Sequence, residues 1–301
     1  MPLASDQQTH IPGTADLDNP LYYLENFETV VRWVRRFHSD LLTADEIGKV
    51  DGLLSLDQPA RALLARMVMR TGDLFRVEKF NYPEIGVPVN DAVSALATKG
   101  WIEDNPSVPL AELFRLFTLG ELRTALANQI SAAGLPATAA KGLLKDTLIP
   151  LHPDIAPVDL WLPDVSTQVI RLNHMALFDR LRLMFFGNLR QSWSDFVLVE
   201  LGHQQYEQVP LSAESRAFDK RDDVDRYLVM HHCRERLDQG EAPETVWQDI
   251  PTANENAWLE SRRGRLLFEL GKLAERGGNT ELALKAYRLS GHRESRLRQL
   301  R

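Results

Sequence analysis

Between Arg61 and Ile102 the apolar pattern changes its period several times, and few folds accommodate that order. Ala60, Leu63, Leu64, Met67 and Val68 recur at i, i+3, i+4, i+7 and i+8, which predicts an amphipathic helix. Thr71-Gly72 closes it, because glycine accepts the left-handed conformation common at helix ends. Leu74-Phe75-Arg76-Val77 predicts a short extended piece, Val89 to Thr98 a second helix stopped by Gly100, and Trp101-Ile102 a returning strand. Helix, strand, helix, strand is the plan of a winged-helix module. A helical hairpin with a bulky core fits the same pattern.

Composition narrows what can be built around that stretch. At 301 residues the chain is long enough for two or three domains. No run approaches the roughly 18 apolar residues that span a bilayer, and Met1 is not followed by a signal pattern. The lone Cys233 excludes an internal disulfide framework and a cysteine-rich zinc finger, and fits a reducing cytoplasm. A net charge of −7 argues against coating nucleic acid by bulk attraction, but leaves room for a local basic groove. Arginine, whose planar fork suits phosphate, makes up most of the 35 basic residues.

Taken in order, the chain divides into a polar tail over 1–17, a first domain over 18–105, a module over 106–152 and a helical region over 153–301. Asp18 or Asn19 caps the first helix, and Tyr23, Leu24, Phe27, Val30, Val31, Val34, Phe37 and Leu41 form its apolar stripe. Glu28 precedes Arg32 by four residues, the order that favours an ion pair. Arg32, Arg35 and Arg36 make either a solvated face or phosphate contacts. In the module, two short helices carrying Leu119, Leu122, Leu126 and Leu143, Leu144, Leu148 flank the turn Gly134-Leu135-Pro136. His152 to Pro163 is extended and proline-rich. From Ser166 the pattern turns helical again, with Ile170, Met175, Leu177, Phe178, Leu181, Met184 and Phe185 forming an apolar surface. Arg171, Arg180, Arg182 and Arg190 are spread around it, so at most a subset faces one ligand. Near the end, Leu267, Leu270, Gly271, Gly278, Ala283, Tyr287 and Ser290 follow the large-small pattern of a tetratricopeptide repeat. One such repeat does not bury both its faces, and the chain stops at Arg301 partway through another helical pattern, as a cut sequence would.

Several longer motifs carry a family resemblance. Arg66 to Gly86 reads R-M-x-M-R-x-G-x-L-F-R-x-x-K-x-x-Y-x-E-I-G; upstream stands Tyr22-Tyr23-Leu24-Glu25-Asn26-Phe27, and downstream Leu183-Met184-Phe185-Phe186-Gly187-Asn188 and Phe196-Val197-Leu198-Val199-Glu200-Leu201-Gly202. Together they resemble the Fanconi-associated nucleases, whose VRR-NUC domain cuts branched DNA in crosslink repair, and a bacterial member in particular. Residues 117–150 also resemble a SAP module, a small helix-turn-helix-like DNA binder; Lys141 falls on that pattern's lysine, while Ala139 and Ala140 replace its usual small glycine-containing pair. The implied fold is mainly α: a winged-helix-like N-terminal domain, a SAP-like helix-turn-helix module and the start of a tetratricopeptide-like helical domain. The implied partner is flapped or branched double-stranded DNA in the cytoplasm, at the nucleoid, held at phosphates by Arg66, Arg70, Arg76, Lys79, Lys99, Arg123, Lys141 and Lys145. No membrane partner is implied; a C-terminal nuclease domain is a possible partner in the same protein. A non-enzymatic helical scaffold and a winged-helix transcription regulator are the competing classes.

The chemistry of cutting is not in these residues. The family holds magnesium or manganese with a PD…(D/E)xK site, in which carboxylates bind the metal and the lysine helps position water. The residues two positions before the eight lysines are Ile47, Val77, Ala97, Ala139, Leu143, Phe218, Leu270 and Ala283, and none is acidic. His231-His232-Cys233 with Glu235 suggests zinc, but adjacent helical residues point about 100° apart and no second pair follows. No catalytic residue, metal ligand or cofactor is therefore assigned; magnesium or manganese is expected of the nuclease domain. The purified 301-residue chain is expected not to cleave a 5′-flap substrate with either ion. Metal-dependent cutting that survives stringent repurification would refute this.

Overall fold

The structure, a computed structural model, describes residues 19–163, 166–193 and 216–299. The tail over 1–17 and the motif Phe196 to Gly202 lie outside the described residues. The described chain is mostly helical. Its first part contains α1 (Tyr22–Phe37), α2 (Ala44–Leu54), α3 (Gln58–Val68), β1 (Leu74–Arg76), α4 (Val89–Thr98) and β2 (Ile102–Asp104). The helix-strand-helix-strand order expected between Arg61 and Ile102 is present. The α1 stripe is buried from Tyr23 to Val34, with Trp33 added to it. Helix α2 is an addition to the expected elements. Thr43 and Glu46 start it by exchanging hydrogen bonds with each other's backbone N–H, which satisfies two donors that a helix start leaves free.

Beyond β2 come β3 (Ser107–Pro109), α5 (Leu110–Leu116), α6 (Leu119–Ala125), α7 (Ala127–Ala132), α8 (Lys141–Leu151), β4 (Ile155–Pro157) and α9 (Val158–Trp161). Strands β3 and β4 pair antiparallel, so the stretch after His152 folds back on the start of the module. The first of the two expected helices is broken at Leu126 into α6 and α7. Leu122, Leu126, Leu144 and Leu148 are buried as expected, but Leu143 remains 48% exposed.

One sequence expectation is overturned by the backbone pairing. The apolar pattern predicts helix from just after Ser166; instead Val169–Leu172 is a strand, β5, and α10 (Met175–Phe186) begins after it. Strand β5 lies between β1 and β2, antiparallel to both, with Phe75 opposite Ile170 and Ile102 opposite Leu172. The first sheet therefore takes its central strand from beyond residue 153, and residues 18–105 do not complete it alone. Side chains alternate across this sheet. Phe75, Ile102, Ile170 and Leu172 enter the large core built by α1, α3, α4 and α10. Leu74 and Val169 enter a second core with Leu110, Leu113, Leu122, Leu144 and Leu148 of the module. The sheet is thus a wall shared by two apolar cores.

The last part contains α11 (Arg221–Asp238), α12 (Pro243–Trp247), α13 (Ala257–Arg276), α14 (Thr280–Ser290) and α15 (Arg293–Arg298). Helices α13 and α14 pack closely because small residues line the surface between them. A Cβ on Gly264 would lie 2.3 Å from the Ser290 carbonyl oxygen, and one on Gly271 would lie 2.7 Å from the Tyr287 ring. Gly271, Tyr287 and Ser290 belong to the large-small pattern read from the sequence; Gly264 does not. Gly264→Ala should therefore force backbone apart and cost about 1–3 kcal/mol despite alanine's better helix propensity. Denaturant unfolding of the variant against the parent measures it, and an unchanged midpoint would contradict the close approach.

Candidate nucleic-acid interface

The eight basic residues singled out in the sequence do not form one surface ridge of free charges. Arg66, on α3, donates through Nε and a terminal nitrogen to Glu84 at 3.1 and 2.6 Å, and its guanidinium stacks 3.6 Å from the centre of the Tyr23 ring. Arg76 is only 8% exposed. It donates to both carboxylate oxygens of Glu121 at 2.9 and 2.7 Å and to Glu78 at 2.6 Å, over the Phe117 ring. Arg123 donates to the Ala139 carbonyl at 2.8 Å and to that of Thr138, holding the turn before α8. Lys141 donates to the Phe117 carbonyl at 2.8 Å. All four are engaged inside the protein: Arg66 and Arg76 by carboxylates, beside which a guanidinium gains little from an anion, and Arg123 and Lys141 by backbone carbonyls. Arg70 is exposed and leans on aromatic rings, 5.5 Å from Phe75, with Tyr82 Oη 3.4 Å away. Lys79, Lys99 and Lys145 are exposed and form no ion pair among the described residues.

Other arginines, which the sequence pattern does not single out, converge elsewhere. A cavity of about 350 Å³ is lined by Arg190, Tyr227, Met230, His231, Arg234, Arg262, Arg265 and Leu266. Its walls follow from helical spacing. Tyr227, Met230, His231 and Arg234 are i, i+3, i+4 and i+7 on α11, while Arg262, Arg265 and Leu266 are i, i+3 and i+4 on α13. Arg263, between the last two arginines, turns inward and donates to the Pro251 carbonyl at 3.0 Å and to Glu260 at 3.1 Å. Arg190 follows the end of α10.

Charge in this cavity is unbalanced. Arg262 stacks 4.2 Å from the centre of the Trp258 ring and 4.8 Å from that of Tyr227, and donates to Tyr227 Oη at 3.3 Å. Burial lowers its pKa from the ordinary arginine value, and Arg190 and Arg265 add to the lowering against the opposite pull of Tyr227. Among the described residues neither Arg190 nor Arg265 has a carboxylate partner, whereas Arg234 pairs with Asp238 at 3.0 Å. His231 lies 3.3 Å from Glu235, and burial holds its pKa below the usual imidazole range. His232 is exposed and Cys233 buried, so the run His231-His232-Cys233 is divided between different surroundings. Of the four arginines spread about α10, Arg171, Arg180 and Arg182 pair with Glu103, Glu46 and Asp179; Arg190 faces the cavity. An oxyanion entering here would relieve repulsion among like charges, and forked donors suit phosphate.

Fold and cavity define a mostly helical chain with a winged-helix-like N-terminal part and an arginine-lined cavity whose charge favours anions. A family model described as "FAN1, HTH domain" matches residues 21–103. The "Fanconi-associated nuclease 1 homolog" of Pseudomonas aeruginosa is 42% identical over 286 residues, which cover 95% of this chain and 50% of that protein. Human "Fanconi-associated nuclease 1" is 24% identical, over 91% of this chain and 28% of its own length. A crystal structure of paFAN1 bound to 2nt 5′ flap DNA with a gap superposes with a TM-score of 0.86 at 41% identity, covering 95% of this chain and 52% of that one. The chain thus carries the FAN1 helix-turn-helix domain and is similar to the Pseudomonas nuclease along nearly all of its own length, and it spans about half the length of that relative.

The Arg76–Glu121 pair gives the site region a defined acid response. Hydrogen bonding from Arg76 holds the Glu121 carboxyl down at about 2, against an ordinary 4.5. A depressed folded-state pKa contributes stability above the unfolded value, and that stability is lost as pH falls through the folded one. The melting-temperature advantage of the parent over Glu121→Gln should be full at pH 7 and shrink as pH falls from about 4.5 to about 2. A gap constant across that window would show that the pair contributes no ionic stabilisation.

Proposed function

We propose that this chain is the DNA-binding portion of a structure-specific nuclease that acts on 5′ flaps and branched DNA during crosslink repair. The observation that carries the reading is the convergence of Arg190, Arg262 and Arg265 on one cavity without carboxylates among the described residues to neutralise them. The likeness to a family member bound to 5′-flap DNA supports the choice of nucleic acid as the anion. Arg70, Lys79, Lys99 and Lys145 are the remaining candidates for backbone contacts, and contacts of this kind position a protein without reading base sequence. SAP-like and tetratricopeptide-like roles for 106–152 and the α13–α14 pair belong to the same reading. So does nucleoid-associated use in the cytoplasm; no helix among the described residues is long and apolar enough to cross a membrane.

Divalent metal, which the family implies for cutting, does not fit the residues present. No three His, Cys, Asp or Glu side chains converge among the described residues, and no acidic residue stands two positions before any lysine. Magnesium or manganese would be held by a nuclease domain, the proposed partner of this portion within the whole protein.

Replacing Arg262 and Arg265 together by Gln should weaken binding to flap and duplex DNA of any sequence. It should also reduce the slope of log affinity against log salt by about one unit for each phosphate no longer neutralised. Fluorescence anisotropy titrations across a salt series, with a thermal melt of each variant, supply both numbers. A folded double variant with unchanged affinity and slope would remove the cavity from the DNA path, and a parent that binds no DNA would overturn the reading itself.

A further inference from the structure

Arg76 is too enclosed to meet phosphate, but its position suits another task. By strand alternation it lies on the same face of β1 as Leu74, the face turned toward the module between β2 and β5. Its partners come from three places. Glu121 stands in the first turn of α6, fixed there by the Thr118 capping box. Glu78 follows β1 and also accepts from Thr167, just before β5. Phe117, under the guanidinium, is the corner between α5 and α6, and Lys141 of α8 binds its carbonyl. One side chain thus joins the sheet to the α5–α6 corner.

On the same face of β5, Arg171 repeats the device, donating to Glu103 at 3.0 Å and to the Ser107 carbonyl of β3 at 2.9 Å. Apolar packing between Leu74, Val169 and the module core is non-directional and tolerates rotation. A bidentate fork does not, because both N–H···O bonds hold only at one relative orientation.

We infer that Arg76 is a positioning residue for flap recognition: its fork onto Glu121 fixes the orientation of the module against the three-stranded sheet, and with it the angle between the DNA segments that Lys79 and Lys99 beside the sheet and Lys145 on the module are proposed to touch. The inference rests on the proposal that the chain binds flap DNA. A flap junction with a gap bends freely where one strand is interrupted, whereas intact duplex resists bending over tens of base pairs. A protein with two rigidly oriented binding regions gains on the bendable substrate and loses on the stiff one. Loosening the orientation should erode that difference while leaving every phosphate interaction in place.

The test compares parent, Arg76→Lys and Glu121→Gln in anisotropy titrations against a 5′ flap with a gap and a plain duplex of equal length. Arg76→Lys keeps the charge and loses the fork. The flap-to-duplex affinity ratio should fall by about fivefold, with the salt slope on each substrate unchanged. If Arg76→Lys does not give a cooperative melt, the ratio for Glu121→Gln decides. An unchanged ratio in a folded variant overturns the inference. Equal weakening on both substrates with a shallower salt slope overturns it too, by making Arg76 a phosphate ligand. A parent that binds neither DNA overturns the proposed function, and a parent that binds both without preference overturns this inference alone.

Discussion

Most guanidiniums drawn out of water in this molecule are matched by a carboxylate or a carbonyl, and that matching organises the structure. Glu46 shows it most fully. It is buried at the start of α2, yet Arg180 of α10 reaches it at 2.6 Å and Arg221 of α11 donates to both of its oxygens. Burial alone would push its pKa up; bonding from Arg221 and the Thr43 N–H brings it below the ordinary value. One carboxylate thereby joins three helices that are far apart in sequence. Arg76 with Glu121 and Arg66 with Glu84 follow the same rule at the sheet and at α3. Acids spent on these internal pairs are not available elsewhere, so arginines without them stand out. That is how a chain of net charge −7 keeps a local excess of positive charge between α11 and α13.

Legibility in the sequence tracks the range of the physics. Helices α1, α3 and α4 are readable because a buried stripe at helical spacing is a local property. Strands β1 and β2 are readable because they fall in the gaps that those helices leave. Strand β5 is not, since Ile170 and Leu172 run on to Met175, Leu177 and Phe178 of α10 with only Asn173-His174 between, and only its neighbours across the sheet make it a strand. The site is harder still. Arg76 and Glu121 stand 45 residues apart, so nothing near Arg76 in the chain announces that its charge is already taken. The cavity has one local trace: Arg262 and Arg265, three apart on a helix, share a face, with Arg263 between them turned away. What makes that face matter is α11 across from it, which spacing alone does not reveal.

The pairing of Phe75 with Ile170 sets an order of events on the ribosome. The segments of β1 and β2 are synthesised long before the strand that bonds to both, with the whole module made in between. Until Leu172 has emerged, Phe75 and Ile102 have no central strand to complete their sheet, and the closing loop is long enough that local helices form first. Synthesis from the N-terminus therefore leaves the partition between the two cores to the last of its three strands, the four residues Val169–Leu172.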